Sequence, residues 1–131
     1  MKPPGVIGCA FDNYGDIKFE DEKARLDNFV ITVLHDPLNI GYILMSAGKE
    51  TFEGEAAERL ARAKSYLVDV REIDPNRIVT ADCGFSEDLR VTLYVFPAGT
   101  IFPTCDIFTN VPFSEVKFTK PRPKSAKKKR R

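Results

Sequence analysis

The sequence predicts an α+β fold, a two-layer β-α-β-α-β-β sandwich in which helices cover one face of a small mixed sheet. Three patterns carry this expectation. Apolar residues recur at helical spacing over 26–34 and again over 56–70, a continuous apolar run bounded by glycines lies between them, and residues 89–96 alternate with period two. The chain has 131 residues, 43% of them apolar and ten of them Phe, which suits one domain with a modest core rather than two.

Residues 1–10 hold Pro3, Pro4, Gly5 and Gly8 and are expected to be an extended lead-in to a domain over 11–97. Asp12, Asn13 and Gly15 suggest a turn, followed by a short strand around 17–19. Glu20, Asp21 and Glu22 suit a helix N-terminus, where carboxylates meet unpaired N–H groups. The helix they begin buries Leu26, Phe29, Val30, Val33 and Leu34 and stops at Pro37.

The run "GYILMSAG" at 41–48 reads as a buried central strand. A second helix is expected over 53–70, with Ala56, Leu60, Ala63, Leu67 and Val70 inward. On its outer face Glu55 with Arg59, and Glu58 with Arg62, stand four apart in the favourable order. "IDPN" is a turn into a strand over 77–81, residues 84–88 turn again, and Leu89, Val91, Leu93 and Val95 mark the core face of a last strand closed by Pro97. Residues 98–116, with Pro103, Pro112 and several Phe, are expected to lie extended against the domain.

Charge is divided unevenly along the chain. Residues 117–131 carry nine cations and no acid: Lys117, Lys120, Arg122, Lys124, Lys127, Lys128, Lys129, Arg130 and Arg131. The other 116 residues hold 11 Lys or Arg against 19 Asp and Glu, a net of −8. An acidic body thus precedes a basic tail, for which disorder is expected. Such a tail suits a polyanion such as nucleic acid, anionic lipid or lipopolysaccharide. It equally suits a solubilising role, or folding back onto the acidic body.

No run approaches the roughly 20 apolar residues of a transmembrane helix. "VIGC" at 6–9 is similar to the end of a lipoprotein signal but lacks an apolar region of about 7–15 residues before it. The expected location is periplasmic or extracellular if a signal lies upstream of this chain, and cytoplasmic otherwise. Cys9, Cys83 and Cys105 form no C-x-x-C pair, so their disulfide state stays open.

The segments "GEAAERLARAKSYLV" (54–68), "IDPNRIVTADCG" (73–84) and "DLRVTLYV" (88–95) resemble the OmpA-like, peptidoglycan-associating domain family over about residues 15–96. The resemblance implies that Arg59 holds a carboxylate of a peptidoglycan stem peptide, a task suited to the planar guanidinium fork. The family's Asp after the second strand, which takes the ligand's amine, is missing from "SAGKETFEG"; Glu50 and Glu53 are the candidate substitutes. Arg90 matches an arginine of the family's last strand, whereas Asp88, Leu89 and Thr92 depart from it. The motif is therefore degenerate. The implied function is a non-enzymatic envelope binding module, with peptidoglycan or another anionic envelope polymer as partner and no cofactor. Against this stands a plainer reading of Arg59 as one half of an exposed pair with Glu55.

Other constellations are incomplete. A calcium loop starting at Asp12 would place Tyr14, Ile17 and Lys23 at ligand or glycine positions. His35, the single histidine, suits the end of the first helix. A Cys83–His35 pair would lack a third orienting group, so an enzyme is not expected.

Overall fold

The computed structural model describes residues 10–99, residue 105 and residues 111–122. Its elements are β1 (Asp12–Tyr14), α1 (Phe19–Leu34), β2 (Asn39–Ala47), α2 (Glu55–Ser65), β3 (Ile78–Phe85) and β4 (Arg90–Pro97). They form the predicted α+β arrangement around one mixed sheet of order β1-β4-β2-β3. The strands β2 and β3 run parallel, a pairing that needs a crossover, and α2 supplies it. β4 runs antiparallel to both of its neighbours, β1 and β2.

Alternation along the strands divides two apolar clusters. Ile43, Met45, Val91 and Leu93 meet Leu26, Phe29 and Val33 of α1 and Leu60 and Ala63 of α2, while Tyr42, Leu44, Cys83 and Tyr94 form the second cluster. Helix α1 comes very close to β2 at Gly41, where a Cβ would stand 2.6 Å from the Phe29 ring. Only glycine lets the fully buried Phe29 and Val33 lie there.

Several boundaries differ from the sequence expectation, each for a physical reason. The first strand is Asp12–Tyr14 and the chain at 17–19 leads into α1, because residues 12–14, expected to turn, pair instead with Val91, Thr92 and Leu93 of β4. Leu34 is exposed at the end of α1. α2 passes at Ser65 into a π-helical turn, Tyr66–Val70, with the Arg71 N–H donating to the Tyr66 carbonyl. That wide turn changes the phase of the apolar face, so Leu67 stays buried while Val70 is 57% exposed. β3 continues to Phe85 through an irregularity opposite Met45 and Ala47. In β4, Thr92 and Tyr94 are buried as well as Val91 and Leu93, because the strand is internal and both faces are covered.

Polar groups fix the layers to one another. Glu22, buried in α1, accepts from the Tyr14 hydroxyl at 2.6 Å and from Arg62 Nη2 at 3.0 Å, which joins β1, α1 and α2. Burial first, then the Glu22 charge and hydrogen bond, raise the Tyr14 pKa far above its ordinary value. Arg62 thus pairs with Glu22 rather than with Glu58, and its guanidinium lies over the Phe19 ring. Arg77 donates to the Val33, Asp36 and Asn39 carbonyls, capping the end of α1 from the turn just before β3.

Cys83 and Cys105 form a disulfide, which ties residue 105 to the face of the sheet away from the helices. Cys83 is therefore no free nucleophile for His35. The buried Val111 donates its N–H to the Phe85 carbonyl, and Phe113–Glu115 makes a 3-10 turn. Residues 117–122, expected to be disordered, lie against the domain. The expected lead-in falls outside the described residues apart from Ala10, and so does the tail from residue 123 onward.

Candidate functional site

Three loops meet at one end of the sheet and enclose a groove of about 670 Å³. Gly15 and Asp16 come from the β1–α1 loop, Gly48, Lys49 and Glu50 from the β2–α2 loop, and Glu87, Asp88 and Leu89 from the β3–β4 loop. Arg90, the first residue of β4, and Lys120 complete the lining. The loops crowd one another at Gly48, where a Cβ would stand 3.0 Å from the Leu89 backbone nitrogen.

Helix α2 begins beside this groove without lining it, entered through Gly54, whose φ of 83° suits glycine. One turn before it, Thr51 Oγ1 donates to Glu55 Oε1 at 2.8 Å, and one turn after Glu55 the Arg59 Nε donates to Glu55 Oε2 at 3.0 Å. Glu55 is only 1% exposed. Arg59 reaches further and donates from Nη2 to Asp16 Oδ1 at 2.7 Å. Lys120 Nζ then lies 2.5 Å from Glu55 Oε2 and 3.3 Å from Asp16 Oδ2. Two acids and two bases from three distant parts of the chain form one compact cluster with no net charge.

The electrostatics follow from that arrangement. Burial alone raises the Glu55 pKa, but hydrogen bonds from Lys120 and Thr51 and the charges of Lys120 and Arg59 outweigh it and hold the carboxyl below its ordinary value. Asp16 shows the same contest. Burial raises it, and the stronger combined pull of Arg59 and Lys120 leaves it lowered.

The structure brings some of the expected residues together and separates others. Arg59 is not an outward member of an exposed pair, since its side chain is 17% exposed and held by two carboxylates. Arg90 lines the groove, and its guanidinium makes no hydrogen bond or ion pair among the described residues while its backbone stands opposite Ser46 in the sheet. Glu50 also lines the groove, with its backbone bridged to Lys117. Glu53 is not among the lining residues, and its carbonyl accepts from Arg122. Arg122 also pairs with Glu58 and lies over the Phe52 ring.

The sequence singled out neither Asp16 nor Thr51 as a site residue. A signal for Thr51 was present in the spacing: Thr51, Glu55 and Arg59 stand at successive intervals of four, as a ladder on one helix face would. No such signal exists for Lys120, whose partners are 65 and 104 positions away. Comparison with family models, with curated proteins and with solved structures found no match to this chain. No helix of the described residues is long and apolar enough to cross a membrane.

Proposed function

We propose that this chain is a non-enzymatic binding module of the bacterial envelope, OmpA-like in type, whose groove takes a peptidoglycan stem peptide. The observation that carries the proposal is the convergence of Asp16, Glu55 and Arg59 beside a polar groove into which Arg90 opens. Asp16 and Glu55 supply negative charge for an ammonium group, the part that the missing aspartate plays in the resembled family. Arg90 offers a guanidinium to a carboxylate without first breaking an ion pair. The Cys83–Cys105 disulfide supports a location in an oxidising compartment, the periplasm or the cell exterior.

Sedimentation with purified peptidoglycan tests this reading. Retention is expected, and Arg90→Ala should weaken it by about tenfold, the worth of one charge-assisted hydrogen bond. Absence of retention in both the wild-type chain and Lys120→Gln, which lacks the cation competing for the acidic pair, would remove the ligand. Unchanged retention in Arg90→Ala and Asp16→Ala would move binding away from the groove.

The alternative is an interaction protein whose basic tail binds a polyanion. Two of the nine tail cations, Lys120 and Arg122, are engaged by carboxylates of the domain. That reading therefore draws on Lys117, Lys124, Lys127, Lys128, Lys129, Arg130 and Arg131. Binding of the full chain to DNA, anionic vesicles and lipopolysaccharide across a salt series, compared with a chain ending after Arg122, separates the two.

A further inference from the structure

We propose that residues 117–122 are a displaceable intramolecular ligand, a strap that closes the groove by placing the Lys120 ammonium where an outside cation would have to enter. The main chain of the strap pairs with the β2–α2 loop in the manner of an added strand. Lys117 N–H donates to the Lys49 carbonyl at 2.8 Å, Thr51 N–H to the Lys117 carbonyl at 3.0 Å, and Lys120 N–H to the Thr51 carbonyl at 3.2 Å. Two cationic side chains then anchor it. Lys120 enters between Glu55 and Asp16, and Arg122 lies over Phe52, pairs with Glu58 and donates to the Glu53 carbonyl at 2.8 Å.

What the strap leaves unburied argues that it can leave. Phe118, its one large apolar side chain, is 47% exposed and rests on the ring of Phe113, itself 67% exposed, so apolar burial contributes little that would hold the strap permanently. Its attachment rests on three backbone hydrogen bonds, the Arg122 contacts and three ion pairs, of which Lys120–Asp16 and Arg122–Glu58 are partly solvated and weakened by salt while Lys120–Glu55 is the buried one. The root is fixed by contrast, through buried Val111 on Phe85 and through the Cys105 disulfide. A short tether of this kind keeps the strap at an effective concentration on the order of millimolar. An external ligand must exceed that competition, which makes the strap a threshold on binding. Docking of the strap is independent of the function proposed above; the identity of what displaces it rests on that reading.

The test uses the full chain, a fluorescent peptide of residues 115–123, and the double variant Lys120→Gln with Arg122→Gln. The peptide should bind the double variant about tenfold or more tightly than it binds wild type at low salt, because its own cis competitor is weakened. Hydrogen exchange at the amides of Thr51, Lys117 and Lys120 should quicken in the variant, and in wild type as salt rises, while β2 and β4 amides keep their protection and report an intact fold. Arg122→Gln alone should give the same changes in smaller measure. Equal peptide affinity for wild type and variant, with unchanged exchange at those three amides, would overturn the strap. Peptide capture by the variant, with no peptidoglycan retention by either chain, would confirm the strap and remove the ligand proposed above. Equal peptidoglycan retention by both chains, with no difference in peptide binding, would do the reverse.

Discussion

Lys120 and Glu55, 65 positions apart, meet at 2.5 Å, and the carboxylate in that pair is almost wholly removed from solvent. A buried carboxylate without sufficient partners is costly, so Glu55 makes the start of α2 depend on a residue from the basic tail. Thr51 and Arg59 share the task, and each supplies a donor that Lys120 does not replace.

A double-mutant cycle measures the dependence. Lys120→Ala is expected to cost about 1–3 kcal/mol in urea unfolding, since it deprives a buried acceptor of its cation. Combined with Glu55→Ala it should show a coupling energy of about 1–3 kcal/mol. A coupling below about 0.5 kcal/mol would place the pair with ordinary surface salt bridges.

Acid should release the strap. Asp16 and Glu55 are both held below their ordinary values of 3.8 and 4.5, so their ionised forms are favoured in the folded state. Their stabilising contribution is complete above those ordinary values and is lost as pH falls through the lowered ones. Exchange at the Lys117 and Lys120 amides, taken relative to the intrinsic rate at each pH, should therefore be flat above about pH 5 and quicken below about pH 4, in advance of the core strands. Quickening that begins near neutral pH would assign the release to other groups.

Reduction should weaken the domain as well as free residue 105. Cys83 and Cys105 are 22 positions apart, and closing a loop of that size stabilises by about 3 kcal/mol in the chain-entropy account. Paired Cys83→Ser and Cys105→Ser substitution should lower the urea midpoint accordingly. An unchanged midpoint would show that the cross-link adds nothing to the packing around Tyr42 and Tyr94.

Gly41→Ala should destabilise by about 1–3 kcal/mol, the usual cost of forcing an added methyl into a packed core. The new Cβ would stand 2.6 Å from the Phe29 ring and 3.0 Å from Val33, both fully buried. Pairing it with Phe29→Leu should restore part of the loss. A neutral effect of Gly41→Ala would mean that α1 shifts off β2 without penalty.

Much of the fold was legible because its signals are local. Helical spacing marked Leu26, Phe29, Val30 and Val33 and then Ala56, Leu60, Ala63 and Leu67 as inward, and all are buried. Alternation marked Val91 and Leu93, and the apolar run marked β2 as a central strand. The α+β class and the element order follow from these patterns, since an amphipathic segment must bury its apolar face against another element. Arg59, Arg90 and Glu50 were visible as candidates because of their places in the resembled motif. Glu53 was not separated from them, since position in a loop says little about which way a side chain turns.

The tertiary structure decided the rest, and the reason is range. Periodicity reports which face a residue occupies but not what stands opposite, so β1 was misplaced until β4 provided its partner. Equal i,i+4 spacing made Glu55–Arg59 and Glu58–Arg62 look alike. In the fold, Glu55 is buried beneath Lys120 and Asp16, Arg62 turns to Glu22, and Glu58 takes Arg122. The sequence by itself determined an acidic body, a basic tail and the layers of the domain. Only the folded chain, by bringing residues 65 and 104 positions apart within reach of one ammonium, decided that part of the tail belongs to the groove.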